Sequence, residues 1–360
     1  MHDKHISFLN KAHKIAQEKF GTTFPNPVVG CIIVKNNKIV ASGVTASEGR
    51  PHAEEIALKK AGDRAMNSTM YVTLEPCFHN SRNGSCAEQI LRSGIKAIYI
   101  SAHDPDLRTN KKSIKKLKKN GVNVSCGLLK EQTHDLNNFF FNSLKNKRPF
   151  VKVKMAISKD EKIAKYNFKS KWISNSLSRD FSHDLRFSSQ VILTTSKTII
   201  KDNPSLTVRK NGKIIKYLPT IIIDNFLKIP LEAKILKDIS KKRIIIFTTS
   251  NSKKSKFLKS LGCELIIMKK QKNNSINLNS IFKKIYNLRI NDVFIEAGGI
   301  LFSELLKKKL VDEIHLFKSN KEIGNDGIPV ILNKKIKDLD KKEIKRKKFG
   351  NDVYQHFKVI

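Results

Sequence analysis

Three residues in the first quarter of the chain have the chemistry of a metal site. His52 offers an imidazole, and Cys77 and Cys86 offer thiolates. One nitrogen and two sulfurs suit Zn²⁺, and three protein ligands leave a fourth tetrahedral position for water. Zinc brings the pKa of such a water close to neutrality. Glu54, two residues after His52 in His52-Ala53-Glu54, is placed to carry protons without binding the metal. Isolated cysteines are common core residues, and an isolated His-x-Glu arises by chance. The grouping argues against chance. Tyr71-Val72-Thr73-Leu74-Glu75-Pro76-Cys77 reads as a strand that delivers Cys77 to its C-terminal edge, and Cys86 opens the next helix. Cys31, Cys126 and Cys263 lie in apolar, strand-like surroundings and read as core.

The second half carries weaker signals. Gly298-Gly299 precedes a helix, where glycines allow close phosphate approach and the helix N-terminus favours an anion. A Gly-Gly pair alone is more often a turn. Arg186 and Arg209 fit a phosphate clamp, although either alone reads as a surface arginine. Trp172 is the single tryptophan and, unaided, reads as core.

The elements that must position these groups follow from periodicity. Apolar residues at Ile6, Leu9, Ala12, Ile15 and Ala16 predict a helix over 6–19. Pro25 and Pro27 end it. A strand over 28–34 is followed by a hairpin turn at Lys35-Asn36-Asn37-Lys38. Helices over 52–60, 86–92 and 111–119 alternate with strands over 70–74, 97–102 and 122–126. The polar, Pro-containing stretch over 144–149 marks a domain boundary, giving domains over 1–146 and 147–360. A second series follows. Its strands are expected at 151–157, 190–193, 220–223, 243–247, 264–268, 292–295 and 313–317, and its helices near 178–187, 276–286 and 300–308. This alternation predicts a layered α/β architecture in both halves. The 360 residues agree with roughly two domains at ~150 residues each.

Composition narrows the class. Hydrophobic residues make up 39% and charged residues 28%, enough for true cores. No apolar run reaches the ~20 residues of a membrane span. No signal-peptide pattern opens the chain, and five cysteines are no disulfide framework, so a reducing cytoplasm is expected. The net charge of +38 suggests nucleic acid or anionic membrane. Yet only 12 cations are Arg and 58 are Lys, spread along the chain rather than clustered. The expected partner is a small anion, with no nucleic acid and no membrane. The Lys-rich stretches over 253–259 and 334–348 read as solvated faces.

Whole motifs then connect the halves. Pro25-Asn26-Pro27-Val28-Val29-Gly30-Cys31, Pro51-His52-Ala53-Glu54 and Leu74-Glu75-Pro76-Cys77, with eight residues before Cys86, resemble the bifunctional riboflavin-biosynthesis deaminase–reductase family. So do Lys154-Met155-Ala156-Ile157-Ser158, Trp172-Ile173-Ser174, the run Asp202 to Arg209 and Glu296-Ala297-Gly298-Gly299. The resemblance covers essentially the whole chain. It implies an N-terminal cytidine-deaminase-like three-layer domain followed by a dihydrofolate-reductase-like domain. It implies hydrolysis of the 2-amino group of a diaminopyrimidinone carrying a phosphoribosylamino group, then NADPH reduction of ribosyl to ribityl at C1′. Zinc ligands would be His52, Cys77 and Cys86, with Glu54 as proton shuttle. Ala156, Trp172, Thr198, Asp202 and the turn Gly298, Gly299, Ile300, Leu301, Phe302, Ser303 and Glu304 would line the NADPH site. Ser170, Arg186, Leu206, Arg209 and Glu296 would line the substrate site. Copies would associate through the reductase domain, where Leu301, Phe302, Leu305 and Leu306 serve either a core or an interface.

The chain departs from that family's pattern at Thr45, where His is usual, and at Lys111, Ser113 and Glu161, where glycines are usual. The loop over 78–85 keeps His79 and Arg82. Two other readings are distinguishable: a chain in which only the reductase half works, and an RNA-binding protein on a deaminase-like fold.

Overall fold

The computed structural model describes residues 2–79, 84–166, 173–272 and 275–360. Ser170 and Trp172, and with them Arg82, lie outside the described residues. The chain separates into two compact units, Met1–Lys147 and Arg148–Ile360.

In the first unit, α1 (His2–Gln17) leads to β1 (Gly30–Lys35) and β2 (Lys38–Val44). The turn between the strands places Asn36 and Asn37 at φ 49° and 63°, the paired left-handed residues of a tight hairpin that asparagine tolerates. Then come α2 (Ala53–Ala61), β3 (Thr69–Leu74), α3 (Cys86–Arg92), β4 (Ala97–Ala102), α4 (Lys112–Lys119), β5 (Asn123–Cys126), α5 (Lys130–Leu136) and α6 (Asn138–Asn146). The sheet order is β2-β1-β3-β4-β5. β1 runs antiparallel to β2 and β3, while β3, β4 and β5 are parallel.

Strand alternation builds three layers. Cys31, Ile33, Met70, Val72, Ile98 and Ile100 face one core with Ala53 and Ala57 of α2 and Ile90 of α3. Ile32, Val34 and Tyr71 face the other, with Phe8, Leu9 and Ala12 of α1. Gly43 fixes the depth of α2: a Cβ there would sit 2.1 Å from the Ala53 carbonyl oxygen. The backbone of β2 therefore touches the first turn of α2, the turn that bears Glu54.

The second unit opens with β6 (Phe150–Ile157), β7 (Lys162–Lys165), α7 (Ser176–Phe187), β8 (Val191–Thr195) and α8 (Ser196–Asp202). A hairpin of β9 (Thr207–Lys210) and β10 (Lys213–Tyr217) precedes β11 (Thr220–Ile223) and α9 (Lys234–Lys237). Next are β12 (Ile244–Thr248), α10 (Lys253–Ser260), β13 (Glu264–Ile267), α11 (Leu278–Asn287), β14 (Asp292–Ile295) and α12 (Gly299–Lys307). The chain closes with β15 (Glu313–Lys318), β16 (Gly327–Pro329), β17 (Lys341–Phe349) and β18 (Asp352–Val359). Nine strands form one sheet in the order β13-β12-β11-β8-β14-β6-β15-β18-β17. All neighbours from β13 to β15 are parallel, and β18 and β17 add antiparallel strands.

Ile281, Phe282, Phe302 and Leu305 cover one face of this sheet. Ile199, Ile235, Leu236 and Leu258 cover Ile192, Ile222 and Ile246 on the other. Phe302 and Leu305 are fully buried in that first core, and Leu301 and Leu306 pack on it, so all four serve the core. The Lys-rich stretch over 253–259 is helical, and most of that over 334–348 is the edge strand β17, exposed along nearly its whole length. No described helix is long and apolar enough to cross a membrane.

Candidate active sites

Two helix starts and one strand end meet in the first unit. His52 immediately precedes α2, and its N–H donates to the Glu55 carboxylate at 2.8 Å. Cys77 lies three residues past the end of β3. Cys86 is the first residue of α3, fixed by Ser85, whose hydroxyl accepts from the Glu88 N–H while the Glu88 carboxylate accepts from the Ser85 N–H. The ligand atoms of His52, Cys77 and Cys86 all lie within 4.8 Å of one another. His52 Nδ1 is 3.3 Å from Cys86 Sγ, and the Cys86 N–H donates to Cys77 Sγ at 3.3 Å. Tetrahedral zinc with bonds of about 2.0–2.3 Å needs ligands roughly 3.5 Å apart, so the donor set fits that ion.

The electrostatics suit a cation. Donation from the Cys86 thiol and backbone holds Cys77 well below the usual thiol range, as a thiolate. Glu54 is almost fully buried, and burial pushes its carboxyl up to about 7 against the opposing pull of His52. Burial likewise lowers the pKa of His79, whose Nδ1 has no hydrogen-bond partner. Cys31 and Cys263 are core residues, and Cys126 is half-buried with its sulfur 3.7 Å from His103 Nε2.

Glu75, between β3 and Cys77, is a residue the sequence reading passed over. Its buried carboxylate accepts from the N–H groups of Asp104 and Lys111 at 3.3 and 3.1 Å and from the Ser113 hydroxyl at 2.7 Å. It also lies 3.2 Å from His103 Nδ1. The segment over 103–113 is thus tied to the strand that leads to Cys77. The departures from the family pattern become legible here. Lys111 and Glu161 have φ of 59° and 61°, so both keep the left-handed backbone that glycine gives more freely. Ser113 supplies a bond that glycine could not. Thr45 is buried, and its hydroxyl accepts from the Val29 N–H at 3.0 Å.

In the second unit, Ala156, Glu296 and Gly298 all stand at the C-terminal edge of parallel strands β6 and β14, where open α/β sheets bind ligands. Thr195 ends β8 and caps α8, its hydroxyl accepting from the Thr198 N–H at 3.3 Å. Asp202 closes α8, and burial raises its pKa. Gly298 precedes α12 with nothing within 4 Å of where a Cβ would stand. At Gly299 a Cβ would lie 2.6 Å from the Val330 carbonyl oxygen, so this position must be glycine. Ile300 is exposed, while Phe302 points into the core and can offer only backbone to a ligand. Ser303 accepts from the Leu332 N–H.

Arg186 does not act as a free half of a phosphate clamp. Its guanidinium grips Glu296 in a two-pronged pair at 2.5 and 2.9 Å and donates to the Thr207 carbonyl at 2.8 Å. Burial opposes the charge on Glu296, but Arg186 prevails and holds its pKa at about 2. Arg209 is exposed, with its Nε donating to the Thr207 hydroxyl and its N–H to His183 Nδ1. Leu206 is buried. Lys154 is half-buried, and burial lowers its pKa against the opposing pull of Glu296; the sequence reading gave this cation no role of its own.

Comparison with known proteins agrees with this division. The family described as "RibD C-terminal domain" matches residues 149–354, and "Cytidine and deoxycytidylate deaminase zinc-binding region" matches residues 2–102. The riboflavin biosynthesis protein RibD of Aquifex aeolicus is 36% identical over 330 residues, covering 90% of this chain and 89% of its own. That of Escherichia coli is 30% identical over 331 residues, covering 89% of each. The solved structure of Acinetobacter baumannii RibD superposes with a TM-score of 0.90 at 27% identity over 99% of both chains. A Thermotoga maritima structure described as a diaminohydroxyphosphoribosylaminopyrimidine deaminase/5-amino-6-(5-phosphoribosylamino)uracil reductase gives 0.84 at 28% identity, covering 100% of this chain and 99% of its own.

Proposed function

The chain belongs to the RibD family of riboflavin-biosynthesis proteins, and from that premise we propose how its residues divide the work of a bifunctional, zinc-dependent deaminase and NADPH-dependent reductase. The carrying observation is the convergence of His52, Cys77 and Cys86 within 4.8 Å. Glu54 is buried at the same helix start.

His52, Cys77 and Cys86 would hold zinc, which would supply the Lewis acidity that lets water react near neutral pH. Glu54 is placed to take a proton from the attacking water and return it to the departing amino group. The ring carbon exchanges its C–N bond for C–O, and ammonia leaves. The substrate is 2,5-diamino-6-(5-phosphoribosylamino)pyrimidin-4-one. Glu75 acts one step back, holding the 103–113 segment against Cys77.

The second unit would hold NADPH, which would supply hydride; in 5-amino-6-(5-phosphoribosylamino)uracil the C1′–O4′ bond of the sugar breaks, C1′ gains the hydride and O4′ the proton, leaving the open ribityl chain. Ala156, Trp172, Thr198, Asp202 and the turn from Gly298 to Glu304 bind the cofactor. Ser170, Leu206, Arg209 and the Arg186–Glu296 pair bind the substrate. Arg209 is the exposed guanidinium suited to its phosphate, and Glu296, ionised and held in place by Arg186, is suited to ribose hydroxyls. The reading carries with it a reducing cytoplasm, consistent with five unpaired cysteines, and association of copies through the second unit.

Glu54→Gln tests the first half. Deamination is expected to fall by about 10²–10⁴-fold, the usual worth of a positioned proton carrier. Zinc content and NADPH oxidation on pre-deaminated substrate are expected to stay unchanged. Retained deamination would remove Glu54 from the mechanism.

A further inference from the structure

A second set of metal-type donors lies in the other unit, on residues given no role above. Glu313 and His315 are two apart on β15 and share one face of the sheet. His356 on β18 is the direct cross-strand partner of His315. The face they share is opposite the apolar core that holds Ile314, Leu316 and Phe357. The ligand atoms of the three lie within 4.8 Å of one another. Glu313 Oε2 is 3.0 Å from His356 Nε2 and 3.5 Å from His315 Nε2.

These approaches are not ordinary hydrogen bonds. Both Nε2 atoms are shielded from solvent, and neither has a hydrogen-bond partner. Buried polar atoms in that state call for an explanation such as an ion. The two imidazoles stack, centroids 4.4 Å apart and planes 18° from parallel, which turns both nitrogens towards the same carboxylate. Tyr354 holds His315 from behind, its hydroxyl 2.8 Å from Nδ1. Such an outer contact is what fixes the nitrogen that a metal-binding histidine presents. One neighbouring cation, Lys152, is held by Asp292 at 2.9 Å and by the Ser188 carbonyl at 3.2 Å, and Lys358 stands opposite Glu313 in the β15–β18 pairing.

We propose that Glu313, His315 and His356 form a second metal site, for a divalent transition-metal ion such as Zn²⁺. Two imidazoles and one carboxylate suit Zn²⁺ and its first-row neighbours rather than Ca²⁺ or Mg²⁺. The His356 side chain is 18% exposed, which gives an ion a route in past the edge of the ring. The ion clamps β18 to β15 and thereby secures the C-terminal hairpin to the sheet.

The test is metal stoichiometry. The full chain is loaded with Zn²⁺, stripped of excess by gel filtration, and analysed by elemental mass spectrometry. Two zinc ions per chain are expected for the native sequence and one for His356→Gln. The Cys77→Ala/Cys86→Ala variant should also retain one. Loaded with Co²⁺, it should show d–d absorption without a thiolate charge-transfer band. One ion in the native chain would overturn the proposal, as would two ions persisting in His356→Gln. If the double cysteine variant does not fold, the comparison of the native chain with His356→Gln decides alone. The deaminase ion is present in both arms, so failure here leaves the first site intact.

Discussion

Glu296 is ionised in a place where burial alone would neutralise it, and Arg186 is the reason. Its folded pKa of about 2 lies below the ordinary 4.5, a shift worth about 3 kcal/mol. The sign follows from linkage. A depressed carboxylate contributes stability that is complete above about pH 4.5 and is lost as pH falls towards 2. Glu296→Gln leaves Arg186 buried without its counter-charge, at a cost of about 3–5 kcal/mol at neutral pH. Urea titrations at several pH values should show native and variant chains converging as pH falls from 5 to about 2. A difference that stays constant over that range would show that the pair carries no such linkage. At this scale the meeting of His52, Cys77 and Cys86 was legible because metal chemistry demands those residue types beside turns. Glu75 was not, because its partners Asp104, Lys111 and Ser113 lie 29–38 residues further along. Arg186 was legible as a cation but not as one already bound to Glu296, 110 residues away.

Helix α12 owes its seat to Gly299. A methyl group there would meet the Val330 and Pro329 carbonyl oxygens at 2.6 and 2.8 Å, so Gly299→Ala must push the helix start off the chain that precedes β17. Overpacking of this kind costs about 1–3 kcal/mol. Because the same turn is assigned to NADPH, KM for NADPH should rise several-fold with a smaller change in kcat. An unchanged KM would detach that turn from the cofactor. Elements with clear periodicity were legible from sequence, among them α3 and β4, whose bounds agree with the expected 86–92 and 97–102. The hairpin of Asn36 and Asn37 was legible from its turn residues. The hairpin of β17 and β18 was not. Strand β17, Lys-Lys-Glu-Ile-Lys-Arg-Lys-Lys-Phe, has the composition of a solvated tail, and only pairing with β18 makes it a strand. Charged edge strands of this kind discourage pairing with other chains. Short α8 and α9 also escaped, since one or two turns carry too little pattern to read.

At the scale of the whole chain, two chemistries require two separately built sites, one in each unit. The first unit supplies sulfur and nitrogen donors at two helix starts, and the second supplies a parallel sheet edge with glycines and an ion pair. The alternation of strands and helices made the layered class legible. The sheet order was not, because β14 returns from the outer strands to lie between β8 and β6, a placement that no local pattern announces. The central claim, that both sites work and work in sequence, is tested by the masses of the products. The purified chain is incubated with the diaminopyrimidine phosphoribosyl substrate, first without NADPH and then with it. Without NADPH, the product should be the deaminated pyrimidine, with one amino group replaced by oxygen. With NADPH, the same product should gain two hydrogens. An unchanged substrate in the first arm, with NADPH consumed only when pre-deaminated substrate is supplied, would contradict the claim and leave the reductase as the sole activity.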